Sequence, residues 1–395
     1  MRILLIPIVL MLTAFSVSHA EEPDKLFQND WDYSEQFPRD ARQKVSHKIS
    51  QQDSKIHILQ LAKLDITQGN IKQAVEGLNS LKEPELTQPQ LQFYLYNRAN
   101  LAVKQGNPVS AERYLRRLQG DEFDGVNNVD GFWLSILEGE IYLLTNEFER
   151  LTNKIHLLSR ETSLNNRVCR LKLLEAAMIL KQQRKSRADF IKSQLVTHCF
   201  SLNQSVYVAR AYLDVVALNY KAHDEPEESL ALLEDASTLF KLQRVNDEFI
   251  NAQLSLAQLY QSTSDDRLSK VLNFLKPLLS DINNQQLRAR YFKLSAFVNQ
   301  QIGDLNGELQ DLKSYAQALA DIEKERRYIN ASYLEYSVEA ERARLSREMN
   351  KQQLLLTETK NTVDTHRLIL SVLLITLFSL VIGYWLLVKS RRSNV

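Results

Sequence analysis

The sequence predicts an all-α protein: an α-solenoid of about seven helical hairpins, followed by a long helix that continues into a single transmembrane helix. Three observations predict it. Ten glycines and eight prolines in 395 residues are few, and Leu, Ala, Gln, Glu, Lys and Arg are abundant, a composition that favours helix nearly throughout. Turn-like pairs recur at Gly69-Asn70, Gly106-Asn107, Asn146-Glu147, Lys185-Ser186, Asp224-Glu225, Asp265-Asp266 and Gly303-Asp304, spaced by 37 (69 to 106) to 41 (224 to 265) residues. Each pair separates two amphipathic stretches, and antiparallel helix pairs at such a period mark a solenoid. Finally, Leu368 to Val388 reads LILSVLLITLFSLVIGYWLLV, 21 residues without a charge or a proline. About 20 apolar helical residues cross a hydrocarbon core.

Residues 1–20 have the layout of a secretory signal peptide. Arg2 gives the positive region, Ile3 to Phe15 the apolar one, and Ser18-His19-Ala20 the small-residue cleavage site. An uncleaved anchor is the alternative, and both readings export the residues that follow. Residues 21–54 then read as an N-terminal cap, with Phe27, Trp31, Tyr33 and Phe37 set among charges. Solenoid ends need covering, so these aromatics are expected over the open apolar face of the first repeat. A peptide-like arm that docks on a partner is the other reading.

Residues 55–320 carry the repeats. Small residues fall where paired helices would cross: Ala62 and Ala74 in the first unit, Ala99, Ala102 and Ala111 in the second, Ala217, Ser229 and Ala236 in the fifth, Ala257 in the sixth. Ile58, Leu61, Leu78, Leu95, Leu213 and Leu233 supply the apolar positions, and Tyr220 and Tyr260 the aromatics near the end of a first helix. This pattern resembles the tetratricopeptide repeat (TPR) family. The likeness is degenerate: Arg98 stands where the family prefers Leu, turns three to six lack glycine, and the period exceeds the family's usual 34 or so. The resemblance implies a groove, lined by the first helix of each repeat, that accepts a protein or peptide partner. By analogy with the family's exposed positions, Phe93, Tyr96 and Asn100 in the second repeat would face it, as would Arg290, Lys293 and Phe297 in the seventh. The alternative packs these aromatics between repeats.

Cys169 and Cys199 are equidistant from a turn near Arg184. In an antiparallel hairpin such residues come alongside, within bridging distance, and an exported compartment is oxidising. A structural disulfide is expected; two buried thiols are the alternative. Zinc held by Cys169, His198 and Cys199 is remote, since adjacent His-Cys is poor ligand spacing.

No turn pair interrupts residues 321–366, which read as one long membrane-proximal helix. Leu334, Val338, Leu345, Met349, Leu356 and Val363 form an imperfect coiled-coil stripe, broken by Arg342, Gln352 and Thr359. Residues 334–363 therefore make a candidate homodimer seam, or a strip lying along the last repeat. Residues 367–388 are the span, with Tyr384 and Trp385 in belt positions; 389–395 form the tail. Lys389, Arg391 and Arg392 orient that tail to the cytoplasm by the positive-inside rule. The layout implies the bacterial inner membrane, single-pass, with the bulk of the chain periplasmic.

The sequence argues against two function classes. A net charge of +1 opposes an electrostatic nucleic-acid binder. Histidines 19, 47, 57, 156, 198, 223 and 366 are scattered, and no HExxH, GxSxG, P-loop or GxGxxG occurs. No enzyme, cofactor or metal is therefore expected; a catalytic site assembled from distant residues is the one arrangement that spacing leaves open. What remains is protein–protein interaction, as scaffold or sensor input. The rival reading starts from a second resemblance. Signal peptide, degenerate repeats, long helix, span and basic tail are similar in order to the sensory half of diguanylate cyclases and some sensor histidine kinases. That likeness implies a truncated or orphan sensory subunit, since the catalytic residues of those families have no counterpart here.

Overall fold

A computed structural model describes residues 31–47, 54–120, 123, 129–183, 187–218, 226–263, 265–281 and 284–392. The signal peptide, Phe27, Tyr220, the Lys185-Ser186 and Asp224-Glu225 pairs and tail residues 393–395 lie outside them. The described residues form sixteen α-helices and no strand. The chain divides into two compact units, Met1–Asn330 and Ala331–Val395.

In the first unit, α1 (Trp31–Gln36) and α2 (Pro38–His47) precede the hairpins. These are α3 (Ser54–Gln68) with α4 (Ile71–Asn79), α5 (Gln88–Lys104) with α6 (Pro108–Leu118), and α7 (Gly131–Thr145) with α8 (Phe148–Glu161). They continue as α9 (Asn165–Gln182) with α10 (Ala188–Cys199), α11 (Val206–Leu218) with α12 (Pro226–Gln243), and α13 (Asn246–Thr263) with α14 (Arg267–Leu275). Last come α15 (Gln285–Gln301) and α16, an 88-residue helix from Leu305 to Arg392.

Why the chain reverses where it does is visible in the turns. Gly69, Gly106 and Gly303 have φ of +80°, +68° and +74°, values that an L side chain resists. Where the third turn lacks glycine, Asn146 takes the same left-handed state at φ 62°, the substitution asparagine tolerates best. At each of the four, the amide one residue on donates back to the carbonyl five residues before it: Asn70 to Asp65 (2.7 Å), Asn107 to Ala102 (2.8 Å), Glu147 to Tyr142 (2.9 Å) and Asp304 to Asn299 (2.9 Å). That bond closes a Schellman motif. At the starts, Asn107 caps α6 by accepting from the Ser110 amide, and Asp130 caps α7 by accepting from Phe132.

Small residues set the crossings. Gly139 of α7 is buried, and a Cβ there would lie 2.8 Å from Leu174 Cδ2 and 3.3 Å from Leu151 Cδ1. The core is continuous from Trp31 through the fourth hairpin to Leu218, and a separate cluster runs from Leu233 to Leu294. A small group around Val206, Phe240 and Ala252 overlaps both in sequence.

The hairpin series curves enough to bring distant turns together. The Gln68 amide donates to the Gln243 carbonyl at 3.2 Å across 175 residues, and Asn246 reaches Asn70 at 3.4 Å. Gly69 packs against Asp247, its missing Cβ leaving 3.5 Å to the carboxyl carbon. Arg42 of α2 clamps the same corner through Gln68 (2.9 Å) and an ion pair with Asp65.

Sequence spacing places a helix start near residue 321. Instead α16 runs unbroken from Leu305, because no proline follows Pro277 and neither Gly307 nor Gly383 stops it. Its first turns leave Leu305, Leu309, Leu312 and Leu319 exposed. In the second unit, the stripe from Leu334 to Val363 is 44–68% exposed, and the apolar run beyond it lies exposed through Ile382. Among the described residues, α16 is the one helix long and apolar enough to cross a membrane.

Replacing Gly139 by valine should lower the unfolding free energy of the solenoid by about 1–3 kcal/mol, read from chemical denaturation, since the added carbons have no space at the α7–α9 crossing.

Candidate functional site

The inner face of the first unit is built by the first helices of the hairpins, and α1 occupies part of it. Trp31 is buried edge-to-face against Phe93 (5.2 Å between ring centres) and Tyr96 (4.7 Å), with the Lys63 ammonium 3.8 Å over its ring. Asp32 accepts from Trp133 Nε1 (3.2 Å) and pairs with Arg167 at 3.0 Å. Ser34 accepts from Lys63 at 2.8 Å. One six-residue helix therefore touches α3, α5, α7 and α9, and it also meets α11.

Beyond α1 the inner face opens into a cavity of about 630 Å³. It draws Lys104 from α5, Glu140 from α7, Arg170 from α9, Arg210 and Asp214 from α11, Glu248 from α13 and Arg290 from α15, over walls rich in leucine. Pockets of this size hold drug-sized ligands. Among the described residues no three His, Cys, Asp or Glu converge as a metal cage.

Two ion pairs link charges of the cavity across hairpins. Arg170 bonds Glu140, and Arg210 bonds Glu248 at 2.8 Å. Burial alone would raise both glutamates, but Arg170 and Lys104 for Glu140, and Arg210 and Lys104 for Glu248, hold them below the usual carboxylate range. Arg290 has no carboxylate. It donates to Asn251, to Ser255 at 3.1 Å and to Gln258 at 2.8 Å, and burial lowers its pKa. Asp214 lacks a bonded cation, so burial lifts it to about 7 against the pull of Arg210 and Arg170. Its side chain is half-buried because it faces the cavity rather than packed protein.

Of the residues the sequence singles out, Arg290 lines the cavity. Phe93 and Tyr96 are on the inner face but lie covered by Trp31, and Asn100 is buried beside Tyr96 in a small recess. Lys293 is exposed outside the cavity lining, and Phe297 packs against the second core cluster. Trp31 thus reaches the inner face of the second hairpin, beyond the first repeat where a cap would place it. Tyr33 and Phe37 stack on each other at 5.3 Å. Cys169 and Cys199 are joined by a disulfide, Cα atoms 5.0 Å apart, linking the start of α9 to the end of α10.

Arg290 apart, sequence reading overlooked the charged residues of the cavity. A signal was present: Arg170, Arg210, Glu248 and Arg290 follow one another by 40, 38 and 42 residues, the repeat period itself. An ionisable residue recurring at that period, once on each of four successive first helices, is the mark of a shared inner face.

No family model matches the chain, and no curated protein matches it. Among solved structures it is similar to the crystal structure of a Rap protein complexed with Competence and Sporulation Factor. The likeness has a TM-score of 0.54 at 15% identity and covers 80% of this chain and 94% of that one. At that identity it shows the fold: an all-α, TPR-like solenoid.

Asp214→Asn should stabilise the protein most above pH 7. The folded state holds the Asp214 proton more tightly than the unfolded chain does, so the charged form costs stability as pH rises through about 7. The gain, on the order of 2 kcal/mol with water in the cavity screening the charge, should shrink as pH falls and vanish near pH 4; thermal melts across pH read it directly. Cys169→Ser with Cys199→Ser should cost about 3.5 kcal/mol, the closure entropy of a loop with sequence separation 30, measured by denaturant titration.

Proposed function

We propose that this chain is a single-pass protein of the bacterial inner membrane whose periplasmic solenoid mediates protein–protein interaction, taking a protein or peptide partner as scaffold or sensor input. The observation that carries the reading is the cavity on the inner face, assembled from the first helices of successive hairpins. The similar Rap protein was solved in complex with Competence and Sporulation Factor, which supports a binding role for this architecture. A disulfide within one hairpin suits an oxidising compartment. Residues 367–388 serve as the anchor and the basic residues after them keep the tail in the cytoplasm. The exposed stripe of residues 334–363 pairs two copies as a coiled coil.

A second reading makes the chain a sensory subunit of a cyclase- or kinase-type signalling system. The unbroken helix from Leu305 to Arg392 favours it, because a rotation or piston shift needs a continuous rod.

In-cell crosslinking of the tagged protein at native level, followed by identification of what co-purifies, tests both. Envelope partners held by residues 55–320 support the scaffold. A membrane kinase, cyclase or phosphodiesterase captured through residues 321–388 supports the sensory subunit, and recovery of no partner contradicts both. Gln352→Pro should break the helix midway at a cost of about 3 kcal/mol or more to that segment. It should abolish signalling while circular dichroism shows the solenoid intact; a variant that signals normally rules out transmission through a continuous helix.

A further inference from the structure

Arg290 differs from the other arginines of the cavity. Arg170 and Arg210 each face a carboxylate of the protein, whereas the three hydrogen bonds of Arg290 go to neutral oxygens. Those oxygens belong to Asn251, Ser255 and Gln258, positions i, i+4 and i+7 on one face of α13. They fix the plane of the guanidinium and use about three of its five N–H donors. The Nε–H, one Nη1–H and the whole positive charge are left for what enters. Burying a cation without a counter-ion is costly, and burial already lowers the Arg290 pKa. A carboxylate from outside relieves that cost, because a charge-assisted hydrogen bond to one of these remaining donors is about twice as strong as a neutral one.

The rest of the lining agrees in charge and polarity. Lys104, Arg170, Arg210 and Arg290 set four positive charges against three negative ones from Glu140, Asp214 and Glu248. Two of those carboxylates are already neutralised by arginine. Leu173, Leu174, Leu213 and Leu259 offer apolar wall to a ligand's body.

We propose that this cavity binds a small amphipathic carboxylate, its anionic head paired with Arg290 and its apolar body against the leucine wall. The chemistry is shared by the C-terminus of a short apolar peptide and by a medium-chain fatty acid. The assignment rests on reading the solenoid as a binding module and names the ligand class of that module.

Isothermal titration of the full chain in lipid nanodiscs tests it with three probes: acetyl-Leu-Ala-Leu-Leu with a free carboxylate, the same peptide as its C-terminal amide, and octanoate. The free acid should bind about tenfold to a hundredfold more tightly than the amide, the range for one charge-assisted contact. Arg290→Gln should erase that preference, and Ala177→Trp, which fills the cavity from α9, should remove binding; both variants are first checked for an unchanged helical spectrum. Binding of the peptide acid alone assigns a peptide source, and octanoate binding with the same Arg290 dependence assigns a fatty-acid source; either upholds the proposal. Equal affinity of acid and amide, a preference that survives Arg290→Gln, or no binding of any probe overturns it. If no probe binds while in-cell crosslinking still retrieves a partner, the ligand class is wrong and the binding-module reading stands.

Discussion

Trp31 sits between Phe93 and Tyr96 with Lys63 over its face, and that contact anchors on the inner surface the helix that also reaches α11. An open solenoid contacts only its neighbours along the chain. Here a helix that precedes the first hairpin reaches α11, while α2 reaches α12 and carries Arg42 to the corner where Gln68 meets Gln243. These contacts join the first hairpin to the fifth and sixth. They turn a one-dimensional stack into a closed curve, so the inner face becomes a bounded cavity instead of a shallow groove.

Closure also explains the electrostatics. Inward-pointing charged residues on successive first helices would be solvated in an open array; on a closed inner face they must pair across hairpins, as Arg170 with Glu140 and Arg210 with Glu248 do. Asp214 and Arg290 are left over on the two sides of this pairing, one held near neutrality and the other held by neutral oxygens. Imbalance of this kind, enclosed by leucine walls, is the expected preparation of a binding site.

The hairpins were legible in the sequence because turns and crossings are local: a glycine or asparagine at positive φ and a small residue at a helix crossing each leave a mark at fixed spacing. Cys169 and Cys199 could be placed near each other from their symmetry about one turn. Closure left no such mark. The Gln68–Gln243 bond spans 175 residues, and neither partner has an unusual neighbourhood in sequence. Without closure, Phe93 and Tyr96 read as exposed groove residues, although Trp31 covers them. The Gly303-Asp304 turn marks a seventh hairpin in sequence, and Leu305, Leu309 and Leu312 just after it are exposed.

Hydrogen exchange of the full chain, compared with Trp31→Ala, tests closure most directly. If α1 holds the curve shut, the substitution should raise exchange in 54–79 and in 206–243 together, since it frees the helix that packs on both α3 and α11. Faster exchange confined to 54–104, with 206–243 unchanged, would mean that α1 is a local cover and that the cavity is bounded without it.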